Sequence, residues 1–283
     1  MHSLAEHTPR RDQSENINRR SFIERFALAL GIYPVRLGLL RDSALAALAQ
    51  TGSGNIESAD MKYPGDGATL QGYLSRPKGK EPLPGIIIVH KNLGLVEHFR
   101  GVSRRLASQG YAALAVDLLS RQGGTSAFPT AEATTKALQN VKDDGAISDL
   151  DAAYRYMDSN SAVKKDDIGI IGFAIGGHNS FLYATTNPKL KAAVIYYGSA
   201  PSDDKLARIQ CPVLEIVGDK DTRFAPAVPV IQEKMKELGK SYESKIYPGA
   251  DHDFFDDTGE RYNEAAAKES WTVVLDFLKR SLG

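Results

Sequence analysis

The chain has 283 residues, of which 42% are hydrophobic and 25% charged, so it is long enough for one large or two small globular domains. Lysine plus arginine and aspartate plus glutamate both number 35, and this balance lacks the basic excess that marks nucleic-acid-binding proteins. The single cysteine, Cys211, excludes an intramolecular disulfide framework and a cysteine-based metal cluster.

An export signal is one interpretation of residues 1–55. The pair Arg19-Arg20 precedes an apolar run, an order that resembles a twin-arginine signal. Ala47-Leu48-Ala49 resembles a small-residue cleavage site. Arg36 and Arg41 interrupt the apolar stretch, so we expect no membrane-spanning helix, which needs about 20 apolar residues.

The alternative for residues 1–55 is a helical arm that packs on the body of the protein or on a second subunit, as in a homodimer. In either case the polar stretch Thr51 to Asn55 reads as a linker to a single domain at 56–283. The signal predicts a periplasmic or otherwise exported protein, and the arm predicts a cytoplasmic one.

Strands and helices alternate along residues 56–283. After an opening pair of strands, Ile86-Ile87-Ile88-Val89 is the kind of continuous branched run found in parallel strands buried on both faces. We predict strands at 56–63, 69–75, 86–89, 111–117, 168–172, 192–197, 213–217 and 242–247, and helices at 96–109, 130–140, 143–159, 178–187, 225–239 and 260–282. This alternation predicts an α/β fold with a mostly parallel, doubly wound sheet and helices on both faces.

Ligands of such sheets bind where the parallel strands end. The loops at those ends are 90–95, 117–125, 173–177, 198–203, 218–226 and 248–257.

A glycine-framed turn follows the strand predicted at 168–172. In Gly172-Phe173-Ala174-Ile175-Gly176-Gly177, strand, turn and helix succeed one another as in a nucleophile elbow, whose central residue projects its side chain above the sheet. The flanking glycines are required because a Cβ would clash where strand and helix cross closely. The central residue is Ala174, which has no nucleophilic atom. The frame of the elbow is therefore present and its reacting group is absent.

Two later loops supply an acid and a base. Asp219 and Asp221 follow the strand at 213–217, and His252 follows the strand at 242–247. A nucleophile needs a base, and the base needs a carboxylate that fixes its tautomer. We favour Asp221 as the acid because it lies deeper in its loop, with Asp219 as the alternative. The order elbow, acid, histidine is that of the α/β-hydrolase fold.

The loop His90 to Leu95 follows the first buried strand. In an α/β hydrolase the equivalent loop gives one backbone N–H to the oxyanion hole, and the residue after the nucleophile gives the other. We expect Asn92 and Ile175 to be these two donors. Backbone donors do not depend on the side chain at position 174, so they can persist without a nucleophile.

Other residues near these loops have less specific interpretations. Asp251, Asp253, Asp256 and Asp257 surround His252 but lack an ordered ligand pattern, so we expect a solvated acidic loop and no metal site. The candidates for lining a substrate pocket are Lys91, Leu93, Phe173, Tyr197, Phe224 and Phe254. The aromatic members of this set are more often core residues.

Together these stretches resemble the dienelactone hydrolase family, also called carboxymethylenebutenolidases, and most closely its branch with a twin-arginine-like leader. The resemblance covers residues 56–282. The matching stretches are the elbow, Tyr73 to Pro77, His90 to Leu95, Ala113 to Asp117, Tyr196 to Gly198, Gly218 to Asp221, Tyr247 to Phe254 and Arg261 to Ala267. The resemblance implies hydrolysis of lactones and esters, without a metal or organic cofactor, by a cysteine or serine with an aspartate and a histidine. It places these last two at Asp221 and His252.

Three positions depart from the family pattern. Ala174 replaces the nucleophile, so we expect little or no activity in this form. Lys91 stands where the family commonly has a glutamate that helps control a cysteine, and Leu93 stands where this branch often has arginine. These two departures argue against the family's usual substrate, a small anionic lactone.

Two functions fit this combination. The first is a carboxylic ester or lactone hydrolase for a small molecule, whose nucleophile was replaced by alanine, as in an engineered serine-to-alanine or cysteine-to-alanine variant. The second is a natural non-catalytic relative that binds a ligand or a partner protein. The intact Asp221 and His252 favour the first. Lys91 and Leu93 favour the second, because an engineered variant would rarely change all three positions.

Overall fold

The computed structural model describes residues 55–79 and 82–282, so the predicted leader or arm and its cleavage site lie outside the described residues. Within these ranges, eight strands form one sheet in the order β1-β2-β4-β3-β5-β6-β7-β8. The strands are β1 (Ile56–Gly65), β2 (Ala68–Pro77), β3 (Leu83–Val89), β4 (Ala112–Val116), β5 (Val163–Phe173), β6 (Ala192–Tyr196), β7 (Val213–Gly218) and β8 (Tyr242–Tyr247).

The sheet is antiparallel at one edge and parallel elsewhere. β1 pairs with β2, and β2 with β4, in antiparallel register. The pairings β4–β3, β3–β5, β5–β6, β6–β7 and β7–β8 are all parallel. The prediction of a mostly parallel sheet is therefore confirmed.

Helices connect most of the parallel strands. They are α1 (Glu97–Ala107), α2 (Ala131–Gln139), α3 (Asp143–Ser159), α4 (Ile175–Ala184), α5 (Asp203–Leu206), α6 (Val228–Glu237) and α7 (Glu264–Ser281). Short 3-10 turns lie at Ser120–Gln122, Thr125–Ala127 and Ala225–Ala227. In the part of the chain that the structure describes, no helix is both long and apolar enough to cross a bilayer.

The hydrophobic core lies on both faces of the sheet. Alternate residues of a strand point to opposite faces. Ile86 of β3 belongs to the same buried cluster as Phe99 of α1 and Phe277 of α7, whereas Ile87 shares a cluster with Phe181 of α4. Each such side chain, fully buried, stabilises the fold by roughly 1.5–3 kcal/mol relative to exposure. Both faces of β3 are buried, as its continuous branched run predicts.

Several element boundaries differ from those predicted, α4 beginning at Ile175 rather than at 178, and two of the differences have a clear local cause. β5 begins at Val163 rather than at 168, because the polar residues 164–167 form a bulge within the strand. The last helix begins at Glu264 rather than at 260, because Asn263 caps it: the Asn263 side chain accepts a hydrogen bond from the Ala266 N–H at 3.1 Å.

Candidate active site

Ala174 occupies a strained turn between β5 and α4. Its backbone has φ 52° and ψ −113°, and a positive φ of this kind costs a non-glycine residue about 1–3 kcal/mol. The Ala174 N–H donates to the Tyr196 carbonyl, and the Ala174 carbonyl accepts from the His178 N–H, both at 3.0 Å. The surrounding backbone thus holds the geometry of an elbow although the side chain at its tip is a methyl group.

Two glycines let α4 cross the ends of the strands at this turn. A Cβ at Gly172 would lie 2.0 Å from the Gly176 carbonyl oxygen. A Cβ at Gly176 would lie 2.4 Å from the carbonyl oxygens of both Val89 and His90. These are backbone contacts, which cannot move aside cheaply, so only glycine fits either position.

Asp221 and His252 form a hydrogen-bonded pair at the same end of the sheet. His252 Nδ1 lies 2.6 Å from Asp221 Oδ2, and the carboxyl is buried. The Arg223 N–H donates to the other oxygen, Oδ1, at 3.2 Å. Asp219, the alternative acid, is exposed and accepts instead from the Gly249 N–H at 2.8 Å. The geometry therefore favours Asp221 and leaves His252 Nε2 for a reacting group.

Aromatic rings flank His252. The ring centroid of Tyr197 lies 4.9 Å from that of His252, and the centroid of Phe224 lies 5.6 Å away. Tyr197 also has a positive φ of 40°, at the turn where the chain leaves β6. These contacts restrict the orientation of the imidazole in addition to its bond to Asp221.

An open cleft of about 480 Å³ lies at this end of the sheet. Its walls are formed by Asn92, Thr135, Leu138, Gln139, Ala174, Ile175, His178, Ser199, Arg223, Phe224, His252, Asp253 and Arg261. The cleft therefore brings together the nucleophile position, the histidine and both expected oxyanion donors. It is partly polar and carries two arginines at residues 223 and 261.

Most of the predicted pocket candidates do not line this cleft. Of the six, Phe224 forms part of its wall. Phe173, Tyr197 and Phe254 are each at most 1% exposed and belong to a buried aromatic cluster, because their side chains point to the face that α1 and α7 cover. The candidates Phe173, Tyr197 and Phe254 are therefore core residues and not pocket-lining ones, which is the more frequent case for aromatic side chains. Leu93 is half-buried outside the cleft wall.

The loop after β3 is held by hydrogen bonds to its neighbours. The Leu118 N–H donates to His90 Nε2 at 3.1 Å, so the His90 proton sits on Nδ1, which donates to the Lys91 carbonyl at 2.7 Å. Complete burial lowers the pKa of His90 and keeps the ring neutral. Thr135 Oγ1 donates to the Asn92 carbonyl at 3.0 Å, which ties α2 to the loop.

The N–H groups of Asn92 and Ile175 have no protein acceptor within the described chain. Both residues line the cleft beside Ala174. Two unpaired backbone donors next to a nucleophile position are what an oxyanion hole requires.

Lys91 is buried against the acidic loop after β8. Its Nζ lies 2.7 Å from Asp256 Oδ2 and 3.1 Å from Asp253 Oδ2. Burial opposes ionisation of Asp256, but the adjacent Lys91 ammonium and hydrogen bonds from Thr258 outweigh it and lower the pKa of Asp256 to about 2. The expectation of a fully solvated acidic loop is wrong for Asp256, which is 2% exposed, because Lys91 occupies the space beside it.

A small group of potential metal ligands lies next to this ion pair. His98 Nδ1 lies 3.3 Å from Asp256 and 2.9 Å from Asp257, and the three residues bring their ligand atoms within 4.8 Å of one another. Lys91 already neutralises Asp256, and the Asp257 side chain is 61% exposed. We therefore assign no metal to this group.

Several residues of the cleft wall were not anticipated from the sequence. Ser199 and Arg223 lie in the loops 198–203 and 218–226, which were expected to face a ligand, but no motif marks them. His178 was assigned to the helix after the elbow. Thr135 lies within α2 and Arg261 lies just before α7. Neither segment was expected to reach the cleft, and both line it.

The comparison with known families decides the classification. The family model described as "Dienelactone hydrolase family" matches residues 70–282, which is most of the chain. The chain belongs to the dienelactone hydrolase family. Its mostly parallel eight-stranded sheet with helices on both faces is accordingly an α/β-hydrolase fold.

Two relatives at 30% identity or more agree with this membership, and a more distant structure shares the fold. A carboxymethylenebutenolidase homologue from Methylorubrum extorquens is 30% identical over 264 residues, covering 89% of this chain and 88% of the relative. A dienelactone hydrolase homologue from Klebsiella pneumoniae, known from its crystal structure, is 31% identical with a TM-score of 0.73, covering 80% of this chain and 99% of that one. A dienelactone hydrolase-like promiscuous phosphotriesterase from metagenomic libraries shares the fold at 22% identity and a TM-score of 0.72, covering 81% and 100%.

Proposed function

We propose that this site is built to hydrolyse carboxylic esters or lactones of small molecules, and that Ala174 leaves it without its own nucleophile at the elbow. The observation that carries the proposal is the retention of everything around the missing group. Ala174 keeps a positive φ, His252 is hydrogen-bonded to Asp221, and Asn92 and Ile175, whose N–H groups have no acceptor in the described chain, line the same cleft. Strained turns of this kind persist only where the surrounding structure holds them, and they cluster at active sites.

The proposed roles follow from the positions of the atoms. With a hydroxyl at position 174, His252 Nε2 would take its proton as the hydroxyl oxygen attacks the substrate carbonyl. Asp221 holds the proton of His252 on Nδ1 and stabilises the imidazolium. The N–H groups of Asn92 and Ile175 would bind the oxyanion of the tetrahedral intermediate. None of these steps calls for a metal or an organic cofactor.

The experiment is to return a hydroxyl to the elbow. Ala174→Ser adds one atom to an open cleft, so overpacking is small. Hydrolysis of p-nitrophenyl acetate should rise at least about a hundredfold over the unmodified protein, which corresponds to about 2.7 kcal/mol in the barrier. Adding His252→Ala should abolish the gain. Ala127→Ser, which places a hydroxyl on an exposed turn outside the cleft wall, is the matched control.

A second function is favoured by the charges around Lys91. That function is a natural non-catalytic relative that binds a ligand or a partner protein. In such a protein the buried Lys91 ammonium is a native feature, and Asp253 and Asp256 neutralise its charge. If Ala174→Ser and Ala174→Cys are both folded but hydrolyse p-nitrophenyl acetate no faster than the unmodified protein, this second function replaces the first. The gene sequence in the source organism would separate an engineered alanine from a natural one.

We also propose that the protein is exported, because Arg19-Arg20 precedes an apolar run as in a twin-arginine signal. Expression in a bacterium with a working twin-arginine pathway should give periplasmic protein that starts near Gln50. Only full-length cytoplasmic chain by mass spectrometry would support a structural N-terminal arm instead.

A further inference from the structure

A serine, a second histidine and a second aspartate meet at the wall of the same cleft. Ser199 Oγ lies 2.9 Å from His178 Nδ1. On the other side of the ring, His178 Nε2 lies 3.4 Å from Asp143 Oδ1. Ser199 and His178 both line the cleft, and neither side chain belongs to the elbow, to the Asp221–His252 pair or to the oxyanion donors.

Three separate elements bring these residues together. Ser199 follows β6, His178 lies in the first turn of α4, and Asp143 is the first residue of α3. The backbone before Ser199 is tightly held, since a Cβ at Gly198 would lie 2.5 Å from the Gly177 carbonyl carbon. The loop that carries Ser199 is therefore packed against the helix that carries His178, and their contact is built into the fold.

The contacts of the imidazole favour one tautomer. His178 Nδ1 also lies 3.2 Å from the Ser199 carbonyl oxygen, so a proton on Nδ1 has an acceptor. That tautomer would, however, turn the lone pair of Nε2 toward the carboxylate of Asp143, which is repulsive. With the proton on Nε2, that nitrogen faces Asp143 favourably, and Nδ1 accepts the hydroxyl proton of Ser199.

We propose that Ser199 is a nucleophile of this cleft separate from the elbow, with His178 as its base and Asp143 as the group that orients the base, and that it takes activated carboxylic esters. This proposal shares the substrate class of the proposed function but depends on neither Ala174 nor His252. Ser199 is exposed and the His178 side chain is 27% exposed, so substrate and water reach both.

The reaction balances with these three residues, substrate and water. Ser199 Oγ bonds to the acyl carbon while its proton moves to His178 Nδ1. The bond from the acyl carbon to the leaving oxygen then breaks, and that oxygen takes the proton from His178. Water attacks the acyl-serine, gives a proton to His178 and releases the carboxylic acid, and the proton returns to Ser199 Oγ.

The test labels the unmodified protein with a fluorophosphonate, which bonds to activated serines, and maps the label by tryptic peptide mass spectrometry. Lys191 and Lys205 place Ser199 on a different peptide from position 174. We expect label at Ser199, and labelling at least about tenfold slower in His178→Ala, since general-base assistance is typically worth two orders of magnitude or more. Ser199→Ala should remove both the label and the background hydrolysis of p-nitrophenyl acetate.

Ser202→Ala is the matched control, because Ser202 is an exposed serine on the same tryptic peptide but outside the cleft wall. It should leave labelling and background hydrolysis unchanged. His178→Gln, which keeps a polar side chain of similar size, guards against a folding artefact in His178→Ala. The proposal is overturned if Ser199 carries no label, or if its labelling rate is the same in both His178 variants as in the unmodified chain. A label that appears at position 174 only in Ala174→Ser bears on the proposed function alone.

Discussion

Lys91 and Asp256 form a buried ion pair that joins the loop 90–95 after β3 to the loop 248–257 after β8. The Lys91 ammonium lies 2.7 Å from Asp256 Oδ2, and the two side chains are 6% and 2% exposed. Lys91 follows β3 and Asp256 follows β8, which lie at different positions in the sheet. The pair therefore links the backbone beside Asn92 to the backbone beside His252, and both line the cleft.

Lys91→Met should destabilise the protein strongly. The substitution keeps much of the volume but leaves the carboxylates of Asp253 and Asp256 without their cation. Removing one partner of a buried pair typically costs about 3–5 kcal/mol, because a charge is left buried and uncompensated. The free energy of unfolding, measured by urea denaturation at neutral pH, should fall by an amount of this order.

A surface pair provides the comparison. The Lys189 side chain is 62% exposed and contacts Asp166 at 3.3 Å. Lys189→Met should change the unfolding free energy by less than about 1 kcal/mol. Equal effects of the two lysine substitutions would contradict the view that the buried pair joins the two loops.

The sequence predicted the elements well and the contacts between distant loops poorly. The branched run at 86–89 and the glycines at 172 and 176 are local signals, and the structure has a buried strand and a tight turn there. The contacts of Lys91, by contrast, are not marked by any local signal in the sequence. Asp253 lies 162 residues away, and its contact with Lys91 depends on the strand order, in which β3 and β8 reach the same end of the sheet.

Strand order also explains what the sequence could not indicate about the cleft. His178 and Ser199 are unremarkable in the sequence, and they meet because β5 and β6 are neighbours and α4 packs beside both. The aromatic residues were ambiguous for a related reason. Whether Phe173 faces the cleft or the core depends on which face of the sheet its position in β5 presents, and the core face prevails.

Gly176→Ala should disrupt the elbow. The added Cβ would lie 2.4 Å from the carbonyl oxygens of Val89 and His90, so β3 and α4 would have to separate. Gly145→Ala is the matched control: Gly145 lies in α3, and a Cβ there has no neighbour within 4 Å. By helix propensity the control should gain up to about 1 kcal/mol. Circular dichroism melts should show a large fall in Tm for the first variant, and an unchanged Tm would refute the crowding.

Glu215 makes stability depend on pH near neutrality. It is buried in β7, and burial raises its pKa to about 7, partly offset by a hydrogen bond donated by Tyr242 Oη. Because the folded state holds this proton more tightly than the unfolded chain, where the pKa is near 4.5, stability falls as pH rises between these values. Below about pH 4.5 the contribution is fully present, and above about pH 7 it is lost.

Glu215→Gln removes this dependence and keeps an oxygen that accepts from Tyr242. At about pH 8 the variant should be more stable than the unmodified protein by roughly 1–3 kcal/mol, and the difference should shrink toward about pH 5. Urea denaturation at the two pH values measures it. Glu233→Gln, at a side chain that is 64% exposed, should show no such trend. The same pH slope in the unmodified protein and in Glu215→Gln would exclude Glu215 as its source.

Ala174→Cys tests which group would control a thiol at the elbow. Lys91 is already paired with Asp253 and Asp256, so its positive charge is neutralised and should do little to lower the pKa of the thiol. His252 is then the group that can favour the thiolate, as an imidazolium held by Asp221. We expect iodoacetamide to alkylate the introduced thiol with an apparent pKa below the ordinary value of about 8.5, and His252→Ala to return the pKa to that value or above.

Cys211 is an internal control for the alkylation experiment, because it is the native thiol of the chain. It is 5% exposed, and burial raises the pKa of its thiol to about 12, so it should stay unreacted in the folded protein. Mass spectrometry should therefore find one alkylation per chain in Ala174→Cys and none in the unmodified protein. If the introduced thiol reacts as slowly as Cys211, or if His252→Ala leaves its rate unchanged, then His252 does not face position 174 in a catalytically useful way. In that case the ester or lactone hydrolase function loses its base.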